Sequence, residues 1–345
     1  MQHFRLSFLV AIIGIVLAYL WAGLYGAFIA AILGVLEVSL SFDNAVVNAS
    51  ILKRMEAKWQ QYFLTWGILV AVFGMRLLFP IVIVAVATGM GFIDVTDMAL
   101  NDTETYAEHL MASHLQISAF GGMFLLMVFF SFIFNEEKEL HWLGSTEEKL
   151  ASWGKLESIE IMVALIILFI AQSVLPEAER LDALVAGIFG LILFVAVDSL
   201  AALFEDGEEG EAVSGAIKKA GMMSFLYLEV LDASFSFDGV IGAFAITQDV
   251  VIIMLGLAIG AMFVRSLTVY LVRQGTLDEY VFLEHGAHYA IGTLAAIMLI
   301  SMNIHVPEVI TGLAGAALIG LSVYSSIQYK KTTALSNPFS ATEFK

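Results

Sequence analysis

The sequence predicts an all-α polytopic membrane protein with about ten transmembrane helices in two inverted five-helix repeats, and three observations carry that expectation. Of the 345 residues, 60% are hydrophobic and 14% charged, with a mean hydropathy of +0.89; soluble domains carry roughly 25% charged residues. Ten stretches approach the ~20 mainly apolar residues a helix needs to cross a bilayer. Two of these stretches hold acid-bearing segments that align without a gap, LEVSLSFDNAVVNAS at 36–50 and LDASFSFDGVIGAFA at 231–245.

The expected spans are 6–22, 25–51, 61–88, 115–134, 158–175, 182–203, 219–246, 250–272, 283–302 and 308–328. Arg5 precedes the first, and its apolar run continues into the second with no small-residue cleavage site, so it reads as a retained helix. These two spans part at residues 23–26, where Gly23 and Gly26 interrupt the run. The second and seventh carry the acid motifs. The third and eighth each hold one arginine, Arg76 or Arg265, and the fourth and ninth open beside related strings, EHLMASH (108–114) and EHGAH (284–288). The motifs lie five spans apart, and an odd number of helices per unit places the copies in opposite orientations. The chain is therefore expected to divide into a first repeat over 1–178, a second over 179–330 and a cytoplasmic tail over 331–345. In transporters built this way the substrate sits near the midplane, where the repeats meet.

Basic residues check the span count independently, because they gather in cytoplasmic loops. With the N-terminus inside, Arg5, Lys53, Arg54, Lys58, Lys138, Lys149, Lys155, Lys218, Lys219, Arg273, Lys330, Lys331 and Lys345 all fall on the cytoplasmic side, and Arg180 alone falls outside. A missed span would invert every later loop. The segment 92–114, with Asp94, Asp97, Asp102, Glu104 and Glu108, is expected outside as a polar loop that gathers cations or is simply solvated. EDGEEGE (205–211) reads as a flexible cytoplasmic linker between the halves.

Composition also excludes chemistry. There are no cysteines, hence no disulfides, thiolate ligands or cysteine nucleophiles. A net charge of -17 does not suggest nucleic acid as a partner. No GxxxxGK[ST] string is present, so energy for any transport should come from ion gradients.

The acid motifs carry the functional expectation. A carboxylate at the bilayer centre costs about 2.5–3.5 kcal/mol even on insertion scales, so a duplicated cluster needs a compensator, for which a bound cation is suited. Glu37 aligns with Asp232, Ser39 with Ser234, Ser41 with Ser236 and Asp43 with Asp238. On a regular helix Glu37, Ser41, Asn44 and Asn48 share a face while Asp43 lies about 120° away beside Ser39. The Ser-x-Ser strings and Gly34 would permit an unwound turn whose carbonyls join the carboxylates. In the second copy Asp232 and Ser236 share a face, Asp238 lies beside Ser234, and Glu229 is an additional acid. The expected ligands are Glu37, Ser41, Asp43, Asn44, Glu229, Asp232, Ser236 and Asp238, with Arg76 and Arg265 as charge balance. Five acids against two arginines favour a cation over an anion, and an all-oxygen set suits Mn²⁺, Ca²⁺ or Mg²⁺. Glu284, His285 and His288 form a secondary metal or proton candidate. The competing structural reading makes the acids buried partners of the two arginines, or protonated and hydrogen-bonded, and makes the serines small packing positions.

The strings SLSFDN and ASFSFDG, with an intramembrane acid six residues before each aspartate, resemble the TerC family, in particular the TerC-related branch of the LysE-like exporter group. Its members are linked to tellurium resistance and several to manganese efflux. The resemblance implies that Glu37, Asp43, Asn44, Asp232 and Asp238 form an ion site. It departs from the family pattern at Gly239, which aligns with Asn44, and in having ten spans. The expectation is a non-enzymatic exporter of a divalent cation, Mn²⁺ foremost, by proton-coupled alternating access in a bacterial inner membrane. Its partners would be lipids and the metal, with a homo-oligomer or a membrane partner protein left open. Two alternatives stand beside it. An intramembrane aspartyl protease would use Asp43 and Asp238, but the chain lacks a GxGD string and would leave Glu37 and Asp232 idle. A non-transporting scaffold for metal or tellurium resistance would tolerate neutral substitution of the acids.

Overall fold

A computed structural model describes residues 4–53, 55–156, 158–205, 213–304 and 306–336, with no strand among them. The chain is an all-α polytopic membrane protein. Among the described residues five helices are long and apolar enough to cross a membrane unaided: Arg5–Leu40, His114–Ile133, Glu177–Ser199, Val250–Arg273 and Val309–Thr332. The other expected spans are shorter, interrupted or acid-bearing.

The first element, α1 (Arg5–Leu40), is two spans in one helical trace. Ala22 (φ -130°, ψ 21°) and Gly23 (φ 66°, ψ -154°) leave helical geometry, and the Gly23 torsions are open essentially to glycine alone. The chain doubles back there, as its contacts with α12 (Val250–Arg273) show. Ser7 bonds to Met262 O and Ser266, Gly14 lies on Ile259, Gly26 on Ile252, and then Gly34 on Ile259 and Glu37 on Gly260. The contact point travels along α12 and returns, so the hairpin turns where the sequence places its first loop. Gly256 and Gly260, four residues apart on α12, admit the second arm at close range: a Cβ at Gly256 would lie 2.6 Å from Leu33 Cβ and 3.0 Å from Ala30 O. Small residues at this spacing are what close helix approach in a membrane requires.

A kink at Ser41 (φ -99°, ψ 22°) leads into α2 (Phe42–Leu52). Then follow α3 (Ala57–Leu69), a π-helix (Val70–Leu78) and α4 (Phe79–Thr88), which together make the third span. The segment expected as an outer loop is instead two helices, α5 (Phe92–Asn101) and α6 (Thr103–Ala112). Each has a buried apolar side, Val95 and Ala99 in one, Tyr106, Ala107 and Leu110 in the other, and Asp102 caps α6 by accepting from the Thr105 N–H. Burial on one side, which charge content alone does not reveal, decides helix over loop.

The fourth span is α7 (His114–Ile133), and α8 (Ser145–Ser152) leads to α9 (Ile159–Ser173) and α10 (Glu177–Glu205). Of the acidic stretch at 205–211, residues 206–211 lie outside those described. The second motif lies in α11 (Val213–Ile246), followed by α12, the short α13 (Thr276–Glu279), α14 (Leu283–Ser301) and α15 (Glu308–Ser336).

Two apolar cores result. One surrounds α7, where Met123, Phe124 and Leu125 meet α9, α10, α14 and Leu231 of α11. The other joins Ala30 and Leu33 of the hairpin to Val84, Val240 and Leu257. The polar groups of the motifs lie between elements that also build these cores.

Candidate cation site in the bundle interior

Glu37, in the last turn of α1, is buried and pairs with Arg76, whose Nη2 donates to Glu37 Oε1. Arg76 reaches it from the π-helix, whose widened turn is a device often found at functional sites. Two glycines of other helices make room for the carboxylate. Gly260 of α12 lies against the Glu37 Cβ and Cγ, and a Cβ at Gly239 of α11 would sit 2.8 Å from Glu37 Oε2. The departure at Gly239 from the first motif thus has a steric reason: any side chain there would strike Glu37.

The second cluster gathers two acids on one arginine. Arg265 Nη2 donates to Glu229 Oε1 and Oε2 (3.2 and 3.3 Å) and lies 3.6 Å from Asp232 Oδ2, while Nη1 donates to Phe63 O (2.7 Å). The guanidinium stacks 4.1 Å over the Phe63 ring. Asn48 Nδ2 of α2 donates to Asp232 Oδ1 (3.4 Å). Gly67 of α3 is again the seat, since a Cβ there would lie 2.5 Å from Glu229 Oε1. In each half, therefore, the arginine of the following span pairs with the aligned acid, Glu37 or Asp232.

Asp43 differs. It is buried in the first turn of α2, where it accepts from the Asn44 N–H (3.0 Å), and a helix N-terminus favours a negative group. Its opposite wall is α15: a Cβ at Gly315 would lie 2.5 Å from Asp43 Oδ2, and Gly312 seats Leu40. Among the described residues Asp43 has no ion-pair partner. Asn44 and Ser41 are buried beside it.

The kink between Glu37 and Asp43 is milder than an unwound turn. The Ser41 N–H donates to Glu37 O (2.9 Å) and the Ser41 carbonyl accepts from Ala45 N–H (3.3 Å), so hydrogen bonding bridges the joint. In the second copy α11 runs unbroken through 234–238. At the first joint α15 closes in through Gly312, against Leu40, and Gly315, against Asp43. The side chains of Ser236 and Asp238 lie outside the described ones.

The ligands expected to converge are thus distributed. Glu37 goes to Arg76, Glu229 and Asp232 go to Arg265, and Asp43 faces α15; among the described residues no group of three or more His, Asp or Glu side chains is disposed to hold a metal ion. The same holds for Glu284, His285 and His288. His285 Nε2 lies 2.9 Å from Leu140 O and 3.5 Å from Glu147 Oε1, and the His288 ring stacks at 4.0 Å on Phe132. The His285 ring clasps the α7–α9 connection, and the His288 ring rests on the last turn of α7. Sequence reasoning missed the anchor of that clasp, the buried Glu147, which accepts from Lys138 Nζ (2.5 Å) and Leu143 N–H (3.0 Å). Burial raises the Glu147 carboxyl, but these bonds and the nearby cations outweigh it and hold it below its ordinary value. It also missed the glycine seats, whose only sequence signal is the Gly256/Gly260 spacing and the Gly following Asp238.

A family model described as "Protein of unknown function (DUF475)" matches residues 42–333. The chain is 28% identical over 182 residues to "Uncharacterized membrane protein YceF" of Bacillus subtilis (strain 168), an alignment spanning 42% of this chain and 70% of that protein. No solved structure matches the chain.

Proposed function

The chain belongs to the DUF475 family, and from that premise we propose that it is a membrane transporter that exports a divalent cation, Mn²⁺ foremost, in exchange for protons. The observation that carries the reading is the unbalanced charge in the bundle interior. Glu37, Asp43, Glu229 and Asp232 are buried against two arginines, and Asp43 has no cationic partner among the described residues. A buried carboxylate without a counter-ion is costly unless a proton or a metal ion occupies it. Asp43 is the residue assigned to alternate between the two, with Ser41 and Asn44 beside it as oxygen donors. An all-oxygen site of this kind suits Mn²⁺, Mg²⁺ or Ca²⁺. The resemblance of SLSFDN and ASFSFDG to the TerC motifs supports the same substrate class, and Asp238 retains its place in the proposed site through that resemblance.

The arginine pairs give specific support to a second reading, a non-transporting membrane scaffold, because they account for Glu37 and, with one of the two acids on Arg265 protonated, for Glu229 and Asp232 without any cargo. The test separates the two. Purified protein in proteoliposomes is given Mn²⁺, Mg²⁺ or Ca²⁺ with and without a pH gradient, and Asp43→Asn is compared with the unaltered chain. Flux that responds to the gradient and is lost in Asp43→Asn is expected. No flux by the unaltered chain, or equal flux by the variant, overturns the transporter reading.

A further inference from the structure

We infer that the groove between the outer ends of α9 and α14 is a phospholipid site, with an acyl chain along its apolar walls and the headgroup phosphate on Arg180. The cavity holds about 380 Å³ and is lined by Ile167, Ile170 and Val174 on one side and by Leu299, Ile300 and Asn303 on the other. Its walls are apolar except at Asn303, which lies just past the end of α14. This volume falls within the ~300–1,000 Å³ of small-molecule sites.

The rim supplies the second observation. Arg180 donates through Nε to Leu175 O (2.9 Å) and through Nη2 to Ser173 O (3.1 Å), which pins the guanidinium to the end of α9 directly beside the lining residue Val174. By the distribution of basic residues it is also the sole lysine or arginine expected on the extracytoplasmic side, and it is held on the two carbonyls that flank the lining residue Val174. Its bonds leave Nη1 for a further acceptor, and arginine matches phosphate geometry well. Glu177 and Glu179 share the first turn of α10, so the region is not cationic as a whole. Recognition there would be short-range, through Arg180 itself. A phospholipid satisfies both ends of the groove, whereas a free phosphate would leave the apolar walls unused.

Native mass spectrometry of the full chain tests this, after release from nanodiscs holding equal phosphatidylglycerol and phosphatidylcholine of identical acyl chains. The unaltered chain is expected to retain phosphatidylglycerol preferentially. Arg180→Gln should cut that preference about fivefold, the weight of one basic residue near a membrane surface, while still retaining lipid. Ala296→Trp, which fills the groove from α14, should retain neither lipid, and Ala171→Trp repeats the filling from α9 should the first variant fail to fold. An unchanged preference in Arg180→Gln overturns the inference, as does unchanged lipid retention in a folded filled variant. A protein dimer that dissolves when the groove is filled would assign the groove to a second copy instead.

Discussion

Replacing Gly256 by alanine puts the seating of the hairpin on α12 to a quantitative test. A Cβ at 256 would lie 2.6 Å from Leu33 Cβ and 3.0 Å from Ala30 O. Carbon atoms rest about 3.5–4.0 Å apart, so the two helices must separate by roughly 1 Å. Neither neighbour can swing aside, since one is a Cβ and the other a backbone oxygen. Overpacking of this kind costs about 1–3 kcal/mol. Alanine also gains up to about 1 kcal/mol over glycine in a helix, which would blur the result. Gly320→Ala supplies the matched control, being mid-helix in α15 with nothing within 4 Å of the added Cβ. Subtracting the two variants cancels the helical gain and leaves about 1–3 kcal/mol as the packing cost. Glu37 lies one turn beyond Leu33 and Gly260 one turn beyond Gly256, so the separation also draws Glu37 from its seat. The assay is reversible unfolding in mixed micelles titrated with SDS, followed by tryptophan fluorescence. Equal midpoints for the two variants would refute the close crossing of the second arm on α12.

Two further outcomes are expected. Gly23→Ala should destabilise by about 1–3 kcal/mol although nothing lies within 4 Å of the added Cβ, because its φ of 66° and ψ of -154° are strained for any side chain; an unfolding midpoint equal to that of the unaltered chain would remove the hairpin turn from residue 23. Glu147 is held below its ordinary value of 4.5 in the folded chain, so its ionised form is the one folding favours. Its stabilisation is therefore complete above that ordinary value and lost as pH falls through the folded-state value. The gap in midpoint between the unaltered chain and Glu147→Gln should be constant from about pH 6 upward and close below about pH 4.5, and a gap that instead widens on acidification contradicts the clasp.

Much of the fold was legible because the bilayer leaves few solutions. Length and apolarity placed each span on a helix, and Gly23 marked a reversal that helical hydrogen bonding alone would have concealed. The segment 92–114 is helical where the sequence suggests a loop, because its charges are visible in sequence while the burial of Val95, Ala99 and Leu110 is a tertiary fact. The site was legible in residue type and not in pairing. Which acid meets which arginine depends on helix rotation and on where glycine allows approach. Helical phase put Asp43 about 120° from Glu37, which is consistent with their separate partners, but it could not tell that one would meet Arg76 and the other α15.

The pairings combine into a mechanical argument. The arginine pairs of the two motifs are each internal to one half of the chain: Glu37 with Arg76 within 1–178, Glu229 and Asp232 with Arg265 within 179–330. The seat of each comes from the other half. Gly239 and Gly260 receive Glu37, Gly315 receives Asp43, and Gly67, Phe63 O and Asn48 receive the Arg265 cluster. Moving one half against the other would therefore carry the Glu37–Arg76 pair and the Arg265 cluster each as a unit, without pulling their opposite charges apart in a medium where that separation is expensive. Asp43 on Gly315 is a buried contact between halves at which the acid has no cationic partner among the described residues. Under the proposed transport reading, a proton or cation arriving there would change the charge at this buried crossing, which would make it a point from which relative motion of the halves can be controlled.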